Sequence, residues 1–204
     1  MKKTATLLFV LCFNLLFSQN SNKKEFLLDE NSKPIGMKAF KEKTKNRNYV
    51  YSLIENDTTY IGKISFREVF GEITPDLRLS LIKYLGEITE SKIDSTKNIV
   101  INFFYNPKVK PNGSCIDHYT SDRKYIKYFK KNKKSIQFFI TEKNYNYGKE
   151  HVFEDKDDFL RQLLFKYDFG CGNYIIIKNN GEILRRFGEY RQDEIRGKLK
   201  KNFS

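Results

Sequence analysis

The sequence predicts an α/β fold: a central mixed sheet of about four strands flanked by helices, with an N-terminal α+β extension. Two observations predict it. Four short runs rich in β-branched and aromatic residues lie in the second half of the chain, and stretches with apolar residues at helical spacing separate or follow them. Their order is β-α-β-α-β-β-α. The β-α-β part implies parallel neighbours with right-handed crossovers, and the last two strands form an antiparallel hairpin.

The chain opens with the features of a secretory signal peptide over residues 1–18. Two lysines at positions 2 and 3 precede an uncharged, mostly apolar run over 4–17. That run has the length of a signal h-region and falls short of the roughly 20 residues that span a bilayer. We expect cleavage after Ser18, so that the mature protein begins at Gln19, is periplasmic or secreted, and keeps no stable membrane span.

Two other interpretations of the N-terminus stay open. The apolar run would be a membrane anchor if it were not cleaved, and Cys12 would carry a lipid if the chain were a lipoprotein. Against the second, Leu11 is large for the position before a lipidated cysteine, and little apolar sequence precedes it.

The chain is basic, with 38 Lys and Arg residues against 25 Asp and Glu residues and a formal net charge of +13. A basic balance can indicate binding to nucleic acid or to an anionic surface. The joint abundance of Lys, Asn, Ile, Phe and Tyr is typical of an A/T-rich genome, and an exported protein meets little nucleic acid. We therefore expect no nucleic-acid partner. Binding to anionic envelope polymers is a further hypothesis that rests on charge alone.

Residues 19–95 are predicted to form the extension. Thr74 followed by Pro75 is a good helix start, a capping hydroxyl with proline in the first turn, and Gly86 is predicted to end that helix. The other predicted elements are a short helix over 36–45 and a hairpin of strands 49–54 and 58–64 around the turn 55–57.

Residues 96–204 are predicted to form the main domain. The strands are expected over 98–105, 135–140, 174–178 and 182–187, and the helices begin at Asp122, at Asp155 or Asp157, and at Asp193. The run over 98–105 is almost continuously apolar, which is typical of a strand buried on both faces. The residues expected in the core are Ile101, Phe103, Phe138, Ile175 and Ile177.

This half of the chain, from Asn98 to Lys201, resembles the thioredoxin fold, and more closely the exported TlpA-type thioredoxin-like proteins of Gram-negative bacteria. The segment 99–104 resembles the strand that leads into the family's active-site loop. The segment 166–181 resembles the one with the family's cis-proline and the next strand, and Gly188 falls near the glycine after the last strand.

The chain departs from that family at the residues that carry its chemistry. The family uses Cys-x-x-Cys at the start of a helix, where the helix lowers the thiol pKa and the second thiol resolves the mixed disulfide. Here the corresponding loop, 106–115, is longer and has one cysteine, Cys115. Asn173 occupies the position of the cis-proline. The dithiol mechanism therefore cannot be transferred to this chain.

Cys115 and Cys171 are the two cysteines of the mature protein, and an even pair in an oxidising compartment favours a disulfide. In the fold that the resemblance implies, their loops lie side by side, within the Cα separation of about 4.4–6.8 Å that a disulfide needs. Three interpretations remain open: a structural disulfide worth about 3–4 kcal/mol, a reversible redox pair with Cys115 as the attacking thiolate, and two unpaired thiols.

Other candidate side chains carry less information. His118 lies three residues after Cys115 and is either a base toward that thiol or a solvated loop residue, and His151 has no evident partner. The aspartates at 155, 157 and 158 indicate a helix start. We expect no metal and no cofactor. The function predicted is an exported thioredoxin-like binding or structural module for an envelope protein, and the alternative is a divergent thiol-disulfide oxidoreductase using Cys115 and Cys171.

Overall fold

The computed structural model describes residues 23–107, 115–201 and 203; the predicted signal peptide and its cleavage site lie outside them. Within these residues the chain forms six helices and two mixed sheets, so the α/β class is confirmed. The helices are α1 (Met37–Lys45), α2 (Pro75–Ile88), α3 (Cys115–Thr120), α4 (Arg123–Lys131), α5 (Phe159–Leu164) and α6 (Gln192–Lys198). Among the described residues, no helix has the length and apolar character to cross a membrane.

Three strands form the smaller sheet and six form the larger one. The strands are β1 (Lys24–Leu28), β2 (Tyr49–Glu55), β3 (Thr59–Phe66), β4 (Glu68–Glu72), β5 (Asn98–Phe104), β6 (Ser135–Thr141), β7 (Val152–Glu154), β8 (Asn173–Ile177) and β9 (Glu182–Arg186). Their orders are β1-β3-β2 and β4-β9-β8-β5-β6-β7.

The smaller sheet contains the predicted hairpin, β2 and β3, together with β1, which runs parallel to β3. The Asn56 side chain forms the hairpin turn by accepting the N–H groups of Thr58 and Thr59. Helix α1 covers one face of this sheet. A Cβ at Gly62 would lie 2.7 Å from Leu27 and 3.0 Å from Phe40, so only glycine lets these side chains close over the strand.

In the larger sheet β5 is parallel to β6, and β6 to β7, whereas β8, β9 and β4 continue the sheet in antiparallel pairs. The four predicted strands are all present, and β4 and β7 are additional. The strand β4 lies inside the segment 19–95 but pairs with β9 of the main domain. The proposed boundary at residue 95 therefore stays a prediction.

Helix α2 starts as predicted, because the Thr74 hydroxyl accepts the Leu77 N–H at 3.2 Å. It does not end at Gly86, as the sequence predicted, but runs on to Ile88. Leu81 and Leu85 are fully buried on its inner face. Packing of that face against the sheet outweighs the roughly 1 kcal/mol that a glycine costs inside a helix.

The two faces of β5 contribute to two core clusters. Ile99, Ile101 and Phe103 belong to the cluster that includes residues of α2 and α5. Val100 and Phe104 belong to the cluster that includes residues of α3, α4 and α6. The five residues predicted for the core are all buried, and all lie in the first cluster. The last residues of β5 and the first residue of β8 lie at the same end of the sheet, and the two cysteines lie beside it.

Candidate functional site

Cys115 and Cys171 are joined by a disulfide, with their Cα atoms 5.9 Å apart across 56 positions of sequence. Cys115 is the first residue of α3, and Cys171 lies in the loop that leads into β8. Both are partly exposed and pack against the second core cluster. The structure thus shows a bonded pair. Whether the bond forms and breaks reversibly stays a prediction.

Two glycines in the left-handed region flank Cys171. Gly170 has φ 82° and Gly172 has φ 80°. At Gly172 a Cβ would lie 2.8 Å from the Tyr119 hydroxyl oxygen, whereas at Gly170 it would meet nothing within 4 Å. Both neighbours of Cys171 therefore adopt a left-handed backbone conformation, and only Gly172 is also closely packed against another side chain.

Asn173 ties the loop that contains Cys171 to the loop after β9. It is fully buried. Its Nδ2 donates to the Gly170 carbonyl at 3.1 Å, and its Oδ1 accepts the Gly188 N–H at 3.1 Å. No peptide bond in the described ranges is cis. Asn173 thus ties two loops together, at the position where the family that the chain resembles has a cis-proline.

The helix that starts at Cys115 is fixed by its own tyrosine. The Tyr119 hydroxyl donates to the Tyr190 carbonyl and accepts the Tyr190 N–H, both at 3.1 Å. The two rings stack with centroids 4.5 Å apart. Gln192 adds a bond from its Nε2 to the Tyr119 carbonyl at 3.1 Å. These contacts join α3 to the segment between β9 and α6.

Behind this layer, Asn102 is a fully buried polar residue between apolar neighbours in β5. Its Oδ1 accepts the hydroxyls of Tyr190 at 2.6 Å and Tyr125 at 3.2 Å, and its Nδ2 donates to the Phe138 carbonyl at 3.2 Å. Burial raises the pKa of both phenols, so they remain donors. Sequence reasoning missed this group; its one signal was an Asn between apolar residues in the run over 99–105.

The long connection between β6 and β7 anchors the exposed side of α3. Asp117 accepts the Tyr147 hydroxyl and lies 3.2 Å from the Lys149 ammonium. The sequence suggested no partner for His151. Its Nε2 lies 3.1 Å from the Thr120 carbonyl oxygen. His118 is exposed and contacts the Tyr119 ring edge-on at 5.6 Å.

Three hollows meet at the disulfide, and Cys171 borders all of them. The first, about 150 Å³, includes Tyr105 and Tyr145 in its lining. The second is lined by Cys115, His118, Arg186 and Arg191, among others. The third lies beside strand β2 and includes Tyr49 and Tyr51. The site is thus a disulfide set among concave surfaces with aromatic and polar walls.

Asp155, Asp157 and Asp158 precede a helix, as predicted, but α5 begins at Phe159 and not at Asp155 or Asp157. Asp155 is fully buried and accepts the N–H groups of Leu160 at 3.1 Å and Arg161 at 2.8 Å, along with the Tyr84 hydroxyl at 2.5 Å. The described residues contain no group of three or more His, Cys, Asp or Glu side chains able to hold a metal.

Comparison of the chain with protein-family models, with curated proteins and with solved structures finds no match.

Proposed function

We propose that this chain is an exported thioredoxin-like protein without the dithiol motif, acting in the cell envelope as a binding or structural module for another envelope protein. The observation that carries the proposal is the Cys115–Cys171 bond, which joins two separate loops rather than two thiols of one turn. The thioredoxin-like assignment is supported by the strand order β6-β5-β8-β9, with β5 parallel to β6 and the other neighbours antiparallel.

The surroundings of the bond favour a structural role. Turnover of a protein disulfide needs a thiolate that attacks and a second thiol that moves in to resolve the mixed disulfide. Here the loop over 106–115 supplies one thiol, and the other comes from a loop pinned by Asn173. Tyr119 fixes the helix that starts at Cys115. Because each loop is held by its own contacts, we expect the Cys115–Cys171 disulfide to stay oxidised.

A binding role is supported by the three hollows around Cys171, which combine aromatic walls with polar side chains. Concave surfaces of this composition are typical of ligand and peptide sites. The disulfide would then hold the loops that shape these surfaces.

Insulin reduction with dithiothreitol as electron donor tests the proposal. We expect a rate near background, and the same rate for Cys115→Ser, with a dithiol thioredoxin as the positive control. Rapid reduction that disappears in Cys115→Ser would contradict the structural role. Mass analysis of protein recovered from the cell envelope tests export, since we expect its N-terminus near Gln19; an intact Met1 would contradict it.

The alternative, a thiol-disulfide oxidoreductase using Cys115 and Cys171, is favoured by one observation. Both cysteines are partly exposed and border the hollows, so an external thiol can approach the bond. Equilibration with glutathione buffers separates the two functions. Structural disulfides have reduction potentials below about −300 mV, whereas exchanging pairs lie near about −120 to −270 mV. We expect the lower range.

A further inference from the structure

The sheet edge next to β6 is only partly covered. Strand β6 runs over Ser135–Thr141, but β7 pairs only with Phe139, Ile140 and Thr141. In the described part of the chain no strand pairs with 135–138 on that side. An unpaired stretch of strand presents N–H and C=O groups to any chain that can lie beside it.

The direction of these backbone groups follows from two hydrogen bonds. The Thr141 carbonyl accepts the Asp155 N–H on the β7 side, and the Lys134 carbonyl accepts the Asn98 N–H on the β5 side, both at 2.9 Å. Successive residues of a strand direct their backbone groups to alternate sides. Ser135 and Gln137 therefore direct theirs to the open side, as Thr141 does.

A groove of about 450 Å³ runs along this open side, and we call it the β6 edge groove. Its floor is the segment 135–139, and Phe153 of β7 lies at one end. One wall includes Phe129 and Lys130 of α4; the other includes Thr89, just after α2, and Lys97. The two helices belong to opposite faces of the sheet, so the groove is a slot between two layers.

The slot offers polar partners to an extended backbone. Its open segment, 135–138, is four residues of strand, which span about 13 Å at about 3.3 Å per residue. The Gln137 side chain also lines the groove, and its Nε2 is buried without a hydrogen-bond partner in the described structure. An unsatisfied buried donor is unfavourable, so an acceptor supplied by an occupant would be a net gain.

The charge of the rim indicates what kind of chain enters. Lys97 and Lys130 stand in the two walls, and none of the lining residues is an aspartate or glutamate. Three more lysines follow in the run 130–134. A second copy paired edge to edge through β6 would bring the same lysines together, which is repulsive. The rim therefore favours a partner segment with acidic side chains.

We propose that the β6 edge groove binds an extended acidic segment of a partner protein, which adds to the larger sheet as a strand beside β6. Backbone bonds to Ser135 and Gln137 would give affinity. Acidic side chains on one face of the added strand would meet the lysine of one wall, and apolar side chains on its other face would meet the phenylalanine on that side, Phe129 or Phe138. The groove shares no lining residue with the three hollows at the disulfide.

Fluorescence anisotropy at low salt with a labelled peptide, Thr-Glu-Val-Glu-Val-Asp-Thr, tests the proposal on the oxidised mature protein. Two matched peptides serve as controls: one with lysine at each acidic position, and one N-methylated at alternate backbone amides. We expect the parent peptide to bind at least about tenfold more tightly than either, a difference of about 1.4 kcal/mol. Amide exchange should slow at Ser135 and Gln137 when the parent peptide binds.

Two pairs of charge reversals complete the test. Lys97→Glu with Lys130→Glu should weaken binding of the acidic peptide at least about tenfold. Lys38→Glu with Lys41→Glu makes the same change in net charge on the exposed part of α1 and should leave binding nearly unchanged. Circular dichroism verifies that both variants fold.

Three results would overturn the proposal. One is absence of saturable binding by the acidic peptide. Another is equal binding of the N-methylated peptide or of polyglutamate, which would show attraction by charge without strand addition. The third is a dimer that protects Ser135 and Gln137 and is displaced by the peptide, which would assign the edge to a second copy. The insulin assay is unaffected by any of them, so the two proposals can fail independently.

Discussion

The backbone N–H of Gly188 donates to the Oδ1 of Asn173 at 3.1 Å, so the residue that opens β8 holds the loop that follows β9. The same side chain donates to the Gly170 carbonyl from its Nδ2. Asn173 is fully buried, and water cannot replace either bond. One amide therefore ties the loop that contains Cys171 to the loop after β9.

Replacing Asn173 with alanine should lower the free energy of unfolding by about 1–3 kcal/mol, because the Gly188 N–H and the Gly170 carbonyl lose their partner in a buried site. Urea denaturation of the oxidised protein measures the change. Asn31→Ala is the matched control: Asn31 is exposed, and its replacement should change stability by less than about 0.5 kcal/mol. Equal effects of the two substitutions would mean that Asn173 does not hold the loops.

Loss of the disulfide should lower stability by about 2–5 kcal/mol, since the bond closes a long loop in the unfolded chain. Cys115→Ser and Cys171→Ser each remove the same bond. The free energy of unfolding of the double variant should therefore lie within about 0.5 kcal/mol of that of each single variant. Dithiothreitol should destabilise the wild-type protein and leave the double variant unchanged. Additive losses in urea denaturation would argue against a bonded pair.

The two glycines beside Cys171 differ in the space around them and so give a matched pair. Gly170→Ala places a side chain at φ 82° in open space and should cost about 1 kcal/mol, the strain of the left-handed region. Gly172→Ala has the same strain and also places its Cβ 2.8 Å from the Tyr119 hydroxyl oxygen. Its loss should exceed that of Gly170→Ala by at least about 1 kcal/mol in thermal unfolding. Similar losses would show that Tyr119 moves aside easily.

The sequence predicted the strands whose own residues are mostly apolar, because such runs indicate burial. Strands β5, β6 and β8 are runs of β-branched and aromatic residues buried in the centre of the sheet. By contrast, β4 is an edge strand whose last three residues are exposed, and β7 is only three residues long. Each of these two is held by pairing with a distant segment, β9 or β6, and such pairing leaves no local pattern.

For the candidate site, the sequence indicated the residue types but not their contacts. Cys115 and Cys171 were recognised as the even cysteine pair of a chain predicted to be exported. Asn102 was not recognised, although it interrupts an apolar run. That Tyr125 and Tyr190 both donate to Asn102 depends on how α4 and the segment before α6 pack on β5. Such contacts between segments distant in sequence cannot be read from periodicity.

The buried tyrosines predict a loss of stability at alkaline pH. Burial raises the pKa of Tyr125 and Tyr190 in the folded protein, whereas an unfolded tyrosine has a pKa near about 10. Below pH 10 both states keep the proton, and the stabilisation is complete. Above pH 10 the unfolded chain loses protons that the folded protein retains, so stability falls by about 1.4 kcal/mol per pH unit for each such tyrosine.

Tyr190→Phe separates this effect from other alkaline titrations. At neutral pH the variant loses the bond to Asn102 and should be less stable than wild type by about 1 kcal/mol, since Tyr125 still donates to the same oxygen. The variant also has one fewer phenol that must stay protonated. Its stability should therefore fall less steeply with pH, by about 1.4 kcal/mol per unit, and the two curves should converge or cross above pH 10. Urea denaturation between about pH 7 and 11.5 measures both slopes, with tyrosinate absorbance reporting ionisation. Parallel curves over that range would mean that Tyr190 ionises in place without unfolding the protein, and that the Asn102 group is open to solvent at high pH.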